Sequence, residues 1–189
     1  MKIGTRSVLF GVHCFLIHPW FVALGWWCTY GFPFDPRLWV AFFVHDLGYF
    51  GKPNMDGDEG ELHPYFGAKI MSIFGKKWEL FTLYHSRFLA KKNNEQFSKL
   101  CIADKMAIVV TPWWLYLPFA LLTGEIHEYR KNAEKLNPGS GATYATSNKE
   151  WYLSVQKYIK SWIDEHKDGR VDTWTSAKKT ANDKTGVWS

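Results

Sequence analysis

Between positions 7 and 34 the sequence has no Asp, Glu, Lys or Arg, and nowhere does it carry a block of five like charges. The second absence excludes a charged tail and leaves polymeric nucleic acid without an expected role as partner, because a phosphate backbone is held by a dense basic surface. The formal net charge of +5 is modest. It keeps anionic small molecules open, since a few Lys and Arg in one cleft suffice. Cysteine is scarce: Cys14, Cys28 and Cys101 are odd in number and follow no CxxC spacing. That argues against a disulfide framework and for reduced core residues of a cytoplasmic protein, the location also expected from the lack of a targeting signal. Sustained alternation bounded by hairpin turns is missing, so the expected fold is all-α, and there is no internal repeat. What the chain has in excess is aromatic residues, 18% of it, including 11 Trp. So many rings require a bulky interior, a sticky surface, or both.

The uncharged stretch follows Lys2 and Arg6 and superficially resembles a signal peptide or anchor, but His13, His18, Pro19, Gly25, Thr29 and Pro33 interrupt it. A second uncharged run, 106–124, carries Pro112 and Pro118. With a mean hydropathy of −0.25, both runs are expected to be buried helices of a compact bundle, with no membrane partner. Trp113, Trp114 and Tyr116 are read as core or as an oligomer contact, a homodimer being one outcome; base stacking and peripheral membrane contact are weaker alternatives.

At 189 residues the chain fits one domain and can bury a real core. Asp35-Pro36 reads as a helix cap and first turn, opening a helix that stops near Gly48. Residues 51–60 read as a loop, and His63-Pro64 opens a helix closed by Gly75. Further helices are expected over about 77–86, 95–110 and 114–136, the last with Arg130 and Glu134 spaced as an ion pair. The capping box Ser147–Glu150 introduces an amphipathic helix whose Trp151, Val155, Tyr158, Ile159, Trp162 and Ile163 share one face. The expected division is a helical metal-binding domain over 1–136, a linker or long loop over 137–150, a docked C-terminal helix over 151–168, and a polar, flexible tail over 169–189.

The informative constellation is His18, His45-Asp46, His63, His85 and Asp104. Imidazole and carboxylate suit a borderline divalent metal, with iron or manganese favoured and cobalt or zinc possible, and six such groups can hold two ions. Adjacent His and Asp cannot point the same way on a regular helix, so a helix end or distorted turn is required at 45–46. Each residue taken alone is more often a hydrogen-bonded core His or a surface acid; their order and apolar setting reverse that balance.

These motifs resemble the HD-domain superfamily of metal-dependent phosphohydrolases, over roughly residues 10–110. His18-Pro-Trp-Phe-Val22-Ala23 matches the first histidine, "WVAFFVHDLGYFGKP" the doublet, "ELHPYFGAKIM" and "LYHSR" the two added histidines of binuclear members, and "LCIADKMAI" the closing aspartate. His13 competes for the first position but lacks the following Val-Ala, and Tyr49 stands where a Lys usually follows the doublet's Gly. The resemblance implies a compact all-α bundle in which Asp46 bridges two ions, His18, His45 and Asp104 complete one shell, and His63 and His85 the other. It further implies hydrolysis of a phosphoester or phosphoanhydride, on a nucleotide-like small molecule, by metal-bound hydroxide. Arg87 and Lys105 become candidate phosphate contacts beside Asp46, whereas Lys91 and Lys92 read as a solvated face. Asp56, Asp58, Glu59 and Glu61 could supply a general acid or hold a hydrated metal, and are more simply an exposed loop. His127 and His166 match nothing and are read as structural or surface residues. Two alternatives stand beside this reading: a di-iron oxygenase of the same superfamily, and a non-catalytic, metal-stabilised binding or membrane-associated module.

Overall fold

The computed structural model describes residues 1–136 and 145–169. Among these residues the chain is all-α, with ten α-helices, short 3-10 turns and no strand. Helix α1 (Ile3–Phe10) leads through a turn into α2 (His18–Tyr30), which carries Pro19 in its first turn. The Asp35 carboxylate caps α3 (Pro36–Val44) by accepting the Arg37 N–H at 2.9 Å, with Pro36 preset for the first turn. A 3-10 turn over Leu47–Tyr49 follows α3, and another over Gly60–Leu62 precedes α4 (Pro64–Met71). Gly75, at φ +98°, then turns the chain into α5 (Lys76–Leu83), a conformation that glycine adopts without strain. The remaining helices are α6 (Arg87–Lys92), α7 (Lys99–Val110), α8 (Trp113–Thr123), α9 (Glu125–Leu136) and α10 (Asn148–His166).

Helices α2 and α7 cross at the centre. A Cβ on Gly25 would lie 2.5 Å from the Ala103 carbonyl oxygen, so the missing side chain permits this crossing. Around it Val22, Ala41, Phe42, Met71, Leu100 and Ala103 form the main core. Trp162 and Ile163 of α10 bury against Cys101, Ile102 and Met106 of α7, while Trp151 and Tyr152 bury against Leu117, Ala120 and Ile126. The Tyr152 hydroxyl donates to the carbonyls of Ile108 and Thr111, at 2.8 and 3.0 Å, satisfying acceptors that the end of α7 leaves over.

Several boundaries differ from those read in the sequence. The expected helix over 114–136 is two, because Gly124 adopts the left-handed conformation at φ +82° and its N–H bonds back to Leu121. The helix expected from 95 begins at Lys99, and α6 is an additional short helix before it. Helix α10 starts at Asn148, inside the expected linker, with both bonds of the Ser147–Glu150 capping box formed. Arg130 donates to Asn148 Oδ1 and the Ala145 carbonyl, both at 2.8 Å, tying α9 to the start of α10; the side chain of Glu134, its expected partner, lies outside the described residues. Of the α10 face, Tyr158 is 39% exposed. Cys28 is exposed too, whereas Cys14 and Cys101 are buried. Most of the expected linker (137–144) and nearly all of the expected tail (170–189) lie outside the described residues.

The aromatic excess serves both interior and surface. Tyr116 stacks on Tyr152 with centroids 4.1 Å apart, whereas Trp20, Trp27 and Trp114 are exposed. Among the described residues no single helix is long and apolar enough to cross a membrane; α7 and α8 would pass together, but they meet at 103°.

Candidate metal centre

His18 opens α2 and Asp104 sits within α7, so the α2–α7 crossing places His18 Nε2 3.1 Å from Asp104 Oδ1. His45 ends α3 and Asp46 begins the following 3-10 turn, which is the break from regular helix that the pair requires. His63 precedes α4, and His85 lies in the turn between α5 and α6. All six are brought to one place, and all but Asp104, which is nearly so, are buried.

Three of the histidines are aimed alike. Nδ1 of His45, His63 and His85 lies 2.9, 2.7 and 2.6 Å from the carbonyls of Phe42, Gly60 and Thr82, each three residues back. A carbonyl only accepts, so each Nδ1 carries the proton and each ring turns Nε2 inward, the arrangement that orients a metal-ligating histidine. Asp46 is the hub. Its Oδ2 lies 3.3 Å from His18 Nε2 and 3.1 Å from His45 Nε2, and its Oδ1 lies 3.4 Å from His63 Nε2 and 3.5 Å from His85 Nε2.

The donors divide into two sets, His18, His45, Asp46 and Asp104, and Asp46, His63 and His85; the ligand atoms of each lie within 4.8 Å of one another. This geometry fits metal binding. His63 Nε2 and His85 Nε2 are 3.0 Å apart, and with both Nδ1 atoms protonated their lone pairs oppose one another unless a cation lies between them. Two nitrogens about 2.1 Å from one ion and about 90° apart are themselves separated by about 3.0 Å. Asp46 Oδ2 and His45 Nε2 are buried without a hydrogen bond of regular geometry, an arrangement that an ion coordinated by both would relieve. The described cluster can therefore hold metal ions.

The electrostatics follow from the charges packed together here. Burial pushes the His45 pKa down, but the charge of Asp46 and the closeness of both aspartates, 3.1 and 3.8 Å away, raise it to about 10. Burial likewise pushes Asp46 up, and His45, His18 and His63 outweigh it, holding the carboxylate well below its ordinary range. For His63 burial prevails, with His85 beside it, and the pKa falls to about 4 despite Asp46. The hub thus stays an anion and His63 stays neutral, the states in which each donates to a metal, whereas His45 in the metal-free cluster carries a second proton that a metal must displace.

Two neighbours shape this arrangement. Gly48 lies against the His63 backbone: a Cβ there would stand 1.9 Å from the carbonyl oxygen. Gly48→Ala is expected to cost about 1–3 kcal/mol, the usual range for overpacking, and to lower the melting temperature by about 2–12 °C for a chain of this size. Zinc titration should show weaker binding as well, because Asp46 and His63 are forced apart; a variant that melts and titrates like the wild type would refute this. Tyr49, which follows Gly48, stacks on His63 with centroids 3.8 Å apart and planes 14° from parallel. Sequence spacing gives no sign of that contact.

Lys105 Nζ lies 3.6 Å from Asp104 Oδ2, placing a cation beside the cluster. Burial lowers its pKa, but Asp104, Cys101 and Asp56 together outweigh that and leave it raised. Arg87 holds its guanidinium 4.6 Å over the Trp162 ring. Lys92 is exposed and lies 5.9 Å from the Phe88 ring, while Lys91 is half-buried. In the acidic loop, Glu59 accepts from Asn54, Asp56 accepts from Asn132, and Asp58 is exposed. Glu61 accepts from Ser86 at 3.5 Å, and burial together with Asp56 pushes its pKa up to about 7. His127 is exposed, and His166 is buried, stacked on Trp162. His13 stays outside the ligand cluster but shares a small pocket with His18, His45 and Asp46, walled by Val8, Phe15, Pro19, Phe42, Phe43 and Leu47.

Comparison of the chain with protein-family models, with curated proteins and with solved structures gives no match.

Proposed function

We propose that this chain is a metal-dependent phosphohydrolase of the HD-domain type, acting on a phosphoester or phosphoanhydride of a nucleotide-like small molecule. The observation that carries the reading is Asp46, which turns one carboxylate oxygen toward each of the two donor sets and so is placed to bridge two ions. His18, His45 and Asp104 would complete the first ion's shell and His63 and His85 the second's, with iron or manganese favoured by this nitrogen and oxygen set and cobalt or zinc as alternatives. When bound, such ions supply an acidified water at neutral pH and a charge sink for phosphoryl oxygens.

The chain's own residues do the remainder. His45, His63 and His85 are held in one tautomer by backbone carbonyls, so their Nε2 atoms need no reorientation on binding. Lys105 sets a positive charge next to Asp104, where it would attract an anionic substrate. Arg87 begins α6 two residues after His85, and its planar guanidinium is the chain's candidate for bidentate phosphate contact.

The test is phosphate release from nucleotides and phosphomonoesters under strict anaerobiosis, by protein reconstituted with iron, manganese, cobalt or zinc. We expect turnover that disappears on chelation and returns with metal. One observation favours a second reading, a di-iron oxygenase: the pocket beside His18 and His45 has a largely apolar wall. Substrate-dependent oxygen consumption by the iron form, with no anaerobic phosphate release, would replace the hydrolase reading by that one. Absence of both activities, with metal still raising the melting temperature, would leave a metal-stabilised binding module.

A further inference from the structure

Beside the metal cluster lies a second polar assembly that the ligands do not use. Glu125 is fully buried, at the start of α9, where the Gly124 turn places it. Its Oε2 accepts from Ser7 at 2.8 Å and from the Tyr129 hydroxyl at 3.0 Å; its Oε1 accepts from Thr123 and, at 3.4 Å, from the Val12 N–H. A Cβ on Gly11 would fall 2.1 Å from Oε1, so the glycine leaves room for the carboxylate. Burial pushes the Glu125 pKa up, but the bonds from His13, Thr123 and Ser7 hold it below the ordinary value. A buried carboxylate is tolerated when it is paired and hydrogen-bonded as fully as this one.

The group this carboxylate orients is His13. Nδ1 of His13 lies 2.8 Å from Ser7 Oγ and 3.4 Å from Glu125 Oε2. Ser7 donates its hydroxyl hydrogen to Glu125, so toward His13 the same oxygen accepts, and the proton on that side belongs to Nδ1. The ring itself lines the pocket beside His18, His45 and Asp46 and sits with its centroid 5.4 Å from that of His18. With Nδ1 committed, the polar edge left to the pocket is Nε2, which has no hydrogen-bond partner among the described residues.

We propose that His13 is a further binding residue of this site, its Nε2 accepting a hydrogen bond from a protonated phosphoryl oxygen or from the water that accompanies the phosphoryl group, and that Glu125 is its positioning residue. The proposal rests on the phosphohydrolase reading. It gives Ser7, Gly11, Thr123 and Glu125, which ligate nothing, one shared role, that of holding a single imidazole in one tautomer at the rim of the pocket. The unassigned histidine and the break between α8 and α9 then have a common explanation.

The test uses the full chain loaded with zinc and inorganic phosphate as the probe. Phosphate affinity is measured by titration calorimetry for the wild type, His13→Gln and His13→Asn, with zinc content and melting temperature as controls. Long-range proton–nitrogen spectra of the imidazoles report the His13 tautomer in the wild type and in Glu125→Gln and Ser7→Ala. We expect phosphate affinity to fall about tenfold or more in both His13 variants, as for the loss of a hydrogen bond to a charged ligand, with zinc content unchanged. The wild type should show the proton on Nδ1, and Glu125→Gln should shift it toward Nε2, because an amide can donate to Ser7 and free its hydroxyl to donate to His13. Equal phosphate affinity in wild type and both variants would overturn the role of His13 and leave the phosphohydrolase reading standing. A wild type that binds zinc but no phosphate would overturn both. A wild-type proton on Nε2, or a tautomer indifferent to Glu125 and Ser7, would overturn the positioning role.

Discussion

Asp46→Ala is expected to lose both metal sites in one substitution, whereas His85→Ala should spare the set formed by His18, His45, Asp46 and Asp104. The asymmetry follows from the hub: each donor set contains Asp46, and the other five ligands each belong to one set. Metal present at about a hundred times its dissociation constant stabilises a folded chain by about 2.7 kcal/mol, which for this length raises the melting temperature by about 5–10 °C. The wild type should show that rise, His85→Ala a smaller one, and Asp46→Ala none. Elemental analysis of protein purified without chelator should give the same order. Phosphate release, if the proposed function holds, should fall by at least about a thousandfold in Asp46→Ala, because the ions are being asked for several kcal/mol of transition-state stabilisation. An Asp46→Ala protein that keeps its metal would remove the foundation of the proposed function and of the His13 inference alike.

Trp162→Ala should give the largest loss of stability of any single core substitution in α10. The side chain is 1% exposed, packs against Cys101, Ile102 and Met106, and stacks on His166 with centroids 4.8 Å apart. Truncating a buried Trp costs about 3–5 kcal/mol, a large share of the roughly 5–15 kcal/mol by which a domain is stable. The expected fall in melting temperature is about 6–20 °C. Leu153→Ala, on the same helix but 45% exposed, is the control and should stay within about 0.5 kcal/mol of the wild type. Because Trp162 also carries the Arg87 guanidinium on its face, Trp162→Phe should weaken phosphate binding by more than its stability loss explains, through a displaced Arg87. Equal melting of Trp162→Ala and Leu153→Ala would mean that α10 contributes little to the fold.

Much of the helical framework is legible in the sequence because its signals are local. Asp35-Pro36 caps and opens α3, Gly75 turns the chain after α4, and Ser147 with Glu150 caps α10, each by bonds or dihedral freedom that depend on a few neighbouring residues. The break at Gly124 is not legible, since a glycine where an uncharged run meets a polar one is equally consistent with a continuous helix until the left-handed turn is seen. Nor is α6: Arg87–Lys92 is too short to develop a hydrophobic period.

The same division holds at the site. Residue chemistry, and helical geometry over a single turn, are enough to specify that the described chain is helical, that the six candidate ligands are of the types a metal accepts, and that His45-Asp46 must sit where a helix ends. They do not specify that Asp46 divides its two oxygens between two donor sets, that Tyr49 lies flat on His63, or that Glu125, far along the chain, holds His13 at the rim of the pocket. Those relations arise from how α2, α3, α7 and the α8–α9 break are placed against one another. That placement is set by contacts such as Gly25 on Ala103 and Gly48 on His63, where the absence of a side chain matters and periodicity carries no trace of it.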